Sequence, residues 1–179
     1  MKQRKEYLWG KAVSFHGHVC AGLAIGFKAA LYAAELLGVG FSENEQLVCV
    51  SENDACGVDA IQAVLGCSIG KGNLLFHMRG KQAFSFYDRK TRQSVRLALN
   101  PVEQEPDSME ERVEYYMSEE PENLFRTTPV RINLPETARL FEAYDCECCG
   151  EKTAANWIRI SGGKKVCLDC YERYDRFDI

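Results

Sequence analysis

Phe15-His16-Gly17-His18-Val19-Cys20-Ala21-Gly22 holds two of the chain's three histidines and a cysteine within five residues. Imidazole and thiolate are ligands suited to zinc, iron, nickel or copper. His16, His18 and Cys20 recur every second residue. In an extended segment alternate side chains point the same way, so both imidazoles can meet one ion, with Cys20 reached as a helix begins. Cys56 stands at the start of a second helical stretch and joins them if both helix starts lie on one side of a sheet. At such starts the free N–H groups and the helix dipole stabilise a thiolate. Two other readings use the same residues: a hydrogen-bonded structural histidine beside buried thiols, or a thiol nucleophile with a histidine base. A metal- or thiol-dependent hydrolase would take Cys20, Cys56 and Asp59 as its candidate catalytic residues, with Asp54 an alternative base. Cys67 follows a helix of about 15 Å and falls at the far end from Cys56.

A second constellation lies near the C-terminus. Cys146-x-x-Cys149 and Cys167-x-x-Cys170 are separated by 17 residues, the spacing of a structural four-cysteine zinc module. Each short pair forms a knuckle aiming two sulfurs at one ion, and Trp157–Ile160 with Gly162-Gly163 suggests a hairpin between them. Four thiolates close the coordination sphere, so such a zinc holds structure. A segment with so little apolar content needs that metal to fold. Cys148 offers a competing pair with Cys146 at a less common spacing, and Cys49 and Cys67 have no assigned role.

The elements that must position these residues are readable from periodicity. Residues 20–38 mix small residues with Leu23, Ile25, Phe27, Leu31, Leu36 and Leu37, which predicts a central helix with Lys28 and Glu35 as its wet stripe and Gly38 as its stop. Leu47–Val50 reads as a buried strand. Residues 57–65 read as a second helix, with Asp54 as its cap and Gly66 as its stop. From Asn73 the period becomes two, which predicts antiparallel strands over 73–79, 82–88 and 93–99 with a tight turn at Gly80-Lys81. The crossover from the first strand passes through a helix, so a parallel pair in a mixed sheet is expected. Ser108-Met109-Glu110-Glu111 has the pattern of a capping box. Residues 121–134 are expected to be extended, and Pro135 to open a last helix through Tyr144.

Net charge is −4, apolar content 46% and charged content 27%, a balance that gives no electrostatic reason to expect nucleic acid or an anionic membrane as partner. The apolar run 19–38 is broken by Lys28 and Glu35 and reads as a buried helix, not a membrane span. The basic start lacks an apolar core and cleavage site. Nine cysteines without an export signal then indicate thiols and metal in a cytoplasmic setting. Gly66–Asn73 has a phosphate-loop flavour, but the Walker spacing fails by one residue and the loop follows a helix. His77 reads as a solvated strand histidine, and Arg89-Lys90-Thr91-Arg92 as a solvated turn.

Taken together the motifs resemble the E-subunit family of formylmethanofuran dehydrogenase. The resemblance is carried by Phe15–Gly22, by Cys56-x-x-Asp59-Ala60-Ile61-Gln62, by Gly66-Cys67-Ser68-x-Gly70-Lys71-Gly72-Asn73-Leu74 and by Gly80-Lys81-x-Ala83-Phe84. Cys149-Gly150-Glu151 is similar to the zinc-finger extension of some members, and Ala21 departs from the proline usual after the cysteine. The resemblance implies an α+β fold with a helix-strand-helix-three-strand core and a mixed sheet. It also implies a metal (zinc, nickel or iron) near the His-Cys motif, a homodimer, and association with a molybdenum- or tungsten-dependent enzyme. With no pterin-binding region or ferredoxin-type cysteine run, redox chemistry by this chain alone is not expected. The expected architecture is thus a domain over 1–142 with a first site at His16, His18, Cys20 and Cys56. A zinc-ribbon-like module over 143–179 follows, holding Cys146, Cys149, Cys167 and Cys170.

Overall fold

The computed structural model describes residues 2–104, 106–174 and 176. The chain divides into two compact units, Met1–Ala138 and Arg139–Ile179. In the first, helices α1 (Lys2–His16), α2 (Ala21–Leu37) and α3 (Gly57–Leu65) cover one face of a five-stranded sheet. The strands are β1 (Leu47–Ser51), β2 (Leu74–Phe76), β3 (Ala83–Asp88), β4 (Ser94–Leu99) and β5 (Phe125–Thr128), in the spatial order β2-β1-β3-β4-β5. β1 and β2 are parallel and joined through α3, while the remaining pairs are antiparallel. The sheet is mixed, and the fold is α+β.

Alternation along β1 sets the two layers. Leu47 and Cys49 point into the helix-covered core with Phe84, Phe86 and Leu97. Val48 and Val50 point to the opposite face with Tyr87, where Val130, Ile132 and Leu134 cover them. Both faces of β1 and β3 are therefore buried, and each buried aliphatic or aromatic side chain contributes roughly 1.5–3 kcal/mol. Arg96 on β4 is 2% exposed and meets Glu52 in a bidentate pair, with Nε–Oε1 2.5 Å and Nη2–Oε2 2.9 Å.

Several expectations are corrected here. Residues 2–16 form a helix that the sequence pattern did not announce. The predicted hairpin through Gly80-Lys81 does not form, because β1 lies between β2 and β3. The turn is tied instead to the end of β1, with the N–H groups of Arg79 and Lys81 both donating to the Glu52 carbonyl. Residues 121–134 are extended only in part, since α5 (Pro121–Leu124) precedes β5. The helix expected from Pro135 is absent. Arg89 takes the carbonyls of Pro135 and Glu136, and the Glu45 carboxylate takes the Ala138 N–H, so side chains occupy groups a helix would use. Lys28 is buried, not on a wet stripe. Its Nζ donates to the carbonyls of Met117 and Glu119 at the end of α4 (Met109–Ser118), a favourable place for a cation. The capping box of α4 is present, Ser108 and Glu111 each serving the other's backbone N–H.

The second unit holds two small antiparallel hairpins, β6 (Ala143–Asp145) with β7 (Lys152–Ala154) and β8 (Arg159–Ser161) with β9 (Lys164–Val166). Gly162 and Gly163 both have positive φ, as the tight turn between β8 and β9 requires.

Candidate metal centres

The first centre forms where three helix ends meet. His16 closes α1, Cys20 is the N-cap of α2, and Cys56 is the N-cap of α3. Glycines let these ends approach. A Cβ at Gly26 would overlap the Gly57 carbonyl, and one at Gly22 would lie 3.2 Å from the Cys56 Cβ. α2 and α3 therefore touch backbone to backbone beside the two cysteines. The ligand atoms of His16, Cys20 and Cys56 all lie within 4.8 Å of one another.

His16 Nδ1 and Asp59 Oδ2 are 2.8 Å apart. With the carboxylate accepting, Nδ1 carries the proton and Nε2 is left with its lone pair, 3.7 Å from Cys20 Sγ. A tetrahedral zinc with ordinary Zn–N and Zn–S bonds separates N from S by about 3.6 Å, so the donor set fits such an ion. Asp59 is itself held by Gln62, whose Nε2 donates to Oδ1 at 3.1 Å. A carboxylate or carbonyl behind a ligating imidazole is the usual support at metal sites. Cys20 Sγ accepts the Leu23 N–H at 3.4 Å, the side-chain cap that fixes the sulfur at the start of α2. Burial, followed by the neighbouring Cys20 thiol, pushes the Cys56 thiol up. Two thiols this close do not share two negative charges without a cation between them.

The His18 ring packs against His16, centroids 4.4 Å apart, outside the three-residue group. Asp54 is exposed and does not cap α3. Asn53 shapes that turn, its Oδ1 accepting the Ala55 N–H. Cys49 and Cys67 are fully buried under the helices. The Cys67 thiol is pushed up to about 12 by burial, which makes it an inert packing group.

In the second unit the sulfurs of Cys146, Cys149, Cys167 and Cys170 all lie within 4.8 Å of one another. Cys149 and Cys167 are 3.9 Å apart, close to the roughly 3.8 Å edge of a tetrahedron with Zn–S bonds of about 2.3 Å. Backbone N–H groups of Cys149 and Cys167 pull the Cys146 thiol down to about 6. The neighbouring thiols, Cys167 first, push Cys170 up, the mark of sulfurs crowded around one point. Cys148 is exposed and outside this cluster.

A family model described as FmdE, molybdenum formylmethanofuran dehydrogenase operon, matches residues 15–134. The chain belongs to the FmdE family. The matched segment opens at Phe15 and contains every residue of the first centre, together with Asp59 and Gln62. Among solved structures, the chain is similar to an FmdE-like protein of tungsten formylmethanofuran dehydrogenase type from Syntrophus aciditrophicus. Identity is 26% and TM-score 0.69, over 93% of this chain and 91% of that one. It is also 28% identical, over 92% of its length, to a probable S-adenosyl-L-methionine-binding protein of Archaeoglobus fulgidus. The chain spans about half the length of that relative, 52%. Within the FmdE frame, the feature that spacing alone did not disclose is the service of Asp59 to His16. Its signal was Asp59 at the third position of α3, one turn from Cys56 and preceding Gln62 by three residues.

Proposed function

We propose that this chain is a metal-binding accessory protein of the FmdE type, with an exchangeable metal at the first centre and a structural zinc in the C-terminal unit. The observation that carries the proposal is the His16–Asp59 pair, which turns the imidazole so that Nε2 faces two cysteine sulfurs. Three protein ligands leave a fourth position open, the arrangement of reactive or exchangeable zinc sites, whereas four thiolates close a structural one. His18 packs on His16 beside these three ligands. A metal bound there, with zinc, nickel or iron as the candidates, would supply Lewis acidity and a site for an exchangeable ligand. His16, Cys20 and Cys56 would hold the metal, and Asp59 and Gln62 would fix the imidazole.

A homodimer that associates with a molybdenum or tungsten enzyme in the cytoplasm fits the family and the nine free thiols. A stand-alone hydrolase fits less well, because both Asp59 oxygens are engaged and Asp54 is exposed. Metal content by plasma mass spectrometry tests the proposal. The wild type is expected to hold two equivalents, Cys20→Ser and His16→Ala one each, and Cys167→Ser one. Full retention by both first-centre variants would remove the proposal. Ester hydrolysis lost in Cys20→Ser would favour the hydrolase.

A further inference from the structure

All nine cysteines are free thiols, and their surroundings differ. Cys49 and Cys67 are sealed in the core at 0% exposure. Cys146, Cys149, Cys167 and Cys170 crowd around one point in the unit of short hairpins, with Cys148 exposed outside their group. Cys20 and Cys56 are different again, because main chain holds them together.

The two residues are 36 apart in sequence, yet their sulfurs lie within 4.8 Å of each other. A Cβ on Gly22 would be 3.7 Å from Cys56 Sγ and 4.0 Å from Cys20 Sγ, so both sulfurs border one small space between α2 and α3. Gly26 resting on Gly57 fixes the spacing of the two helices, and the Leu23 N–H holds Cys20 Sγ in place. Both are contacts within the protein and owe nothing to a bound ion. The thiols therefore stay neighbours when a metal leaves, and a reaction between them has the advantage of an intramolecular one. Access separates them. Cys20 is covered at 8% exposure, whereas Cys56 is partly open. An open thiol beside a second one is the arrangement of an oxidisable cysteine with its resolving partner.

Resting on the metal reading of the first centre, we propose that Cys20 and Cys56 form a reversible disulfide which a peroxide closes and a thiol reductant opens. The centre then either holds a metal or is oxidised, never both. The Cys56 thiolate, kept deprotonated by coordination, attacks one peroxide oxygen. The O–O bond breaks, hydroxide leaves, and Cys56 becomes a sulfenic acid. The Cys20 thiolate attacks that sulfur, forming the S–S bond and expelling a second hydroxide. Two thiolates are thereby oxidised by two electrons as one peroxide is reduced to two hydroxides. Bonding brings the sulfurs to about 2 Å, a movement supplied by rotation about the two Cα–Cβ bonds while the helices stay in place. Of the three ligands only His16 is left, and the centre loses its metal without unfolding.

Titration of the zinc-loaded full chain with hydrogen peroxide tests this, with released zinc read by a chromogenic dye and disulfides mapped by mass spectrometry. Cleavage at acidic residues separates Cys56 from Cys49 and Cys67. Loss of one zinc equivalent is expected to track the appearance of a Cys20–Cys56 link, with the circular dichroism spectrum unchanged. A phosphine reductant is expected to restore binding of that equivalent. Cys20→Ser is expected to stop at a Cys56 sulfenic acid that dimedone captures, Cys56→Ser to leave the covered Cys20 unoxidised, and Cys148→Ser to behave as wild type. Loss of one equivalent with no Cys20–Cys56 link, or a chain that carries the link and keeps both equivalents, would overturn the proposal. A reduced wild type holding no more zinc than Cys20→Ser would instead remove the metal reading, and the release step with it. Metal held by the reduced chain, with no link formed at any peroxide dose, overturns the switch alone.

Discussion

Asp59 Oδ2 stands 2.8 Å from His16 Nδ1, joining residues 43 apart in sequence and fixing which imidazole nitrogen faces Cys20. Asp59→Asn keeps the shape and loses the anion. Metal affinity at the first centre is expected to fall by about 10–100-fold, while the C-terminal cluster keeps its metal. Competition with a chromophoric chelator measures both. An affinity unchanged in the variant would show that the carboxylate does not support the imidazole.

Gly26→Ala should force α2 and α3 apart, since its Cβ would run into the Gly57 carbonyl oxygen. Overpacking of this kind costs about 1–3 kcal/mol or more, to be read as a lower urea midpoint. The same variant is expected to bind metal more weakly at the first centre. Gly10→Ala is the control, because nothing lies within 4 Å of its added Cβ. In mid-helix it is expected to be neutral or mildly stabilising.

Arg96→Met leaves Glu52 buried without its partner. Loss of about 3–5 kcal/mol is expected, measured by denaturant unfolding at neutral pH. The Arg96 hydrogen bond, opposed in part by burial, holds the Glu52 carboxyl below its ordinary 4.5. Between those two values the unfolded chain binds the extra proton, so the pair's stabilisation is present above 4.5 and fades as pH falls through the folded value. Glu52→Gln is therefore expected to flatten the acid limb of the stability curve. An unchanged limb would mean that the pair does not set acid stability.

Cys167→Ser should release one metal equivalent and collapse protection of the 143–170 amides in hydrogen exchange, with β1 and β3 protected as in the wild type. Small four-cysteine modules draw their folding energy from the ion. A chelator added to the wild-type chain should reproduce that pattern. Retention of exchange protection after metal loss would show that the hairpins stand without it.

Much of this was legible in the sequence. α2, α3 and β1 follow from apolar periodicity and glycine stops, and the parallel β1–β2 pair follows from the helical crossover. The four-cysteine cluster is written in its spacing, and Cys20 and Cys56 in their places at helix starts. α1 was not legible because Lys2–His16 is polar on average, carries Gly10 in its interior and shows little amphipathic pattern. Its place is fixed by tertiary packing of Ala12 and of Trp9 on Phe27. With it went the expected alternation of His16, His18 and Cys20, since His16 ends a helix and only the link to α2 is irregular. The Gly80 turn was legible as a turn but not as to its partner, which the carbonyl of Glu52 decides from far upstream. The segment after Pro135 reads as a helix locally and is held open by Arg89 and Glu45, long-range partners that no local pattern reveals.

The bare contact of Gly26 with Gly57 has a consequence for how the first centre can vary. Side chains at a helix crossing act as spacers of adjustable thickness, and substitution there ordinarily retunes the gap by fractions of an ångström. Where main chain rests on main chain no such shim exists, so the sulfur-to-sulfur span is a constant of the scaffold. Tuning of this site must come from the imidazole side, through whatever grips its far nitrogen.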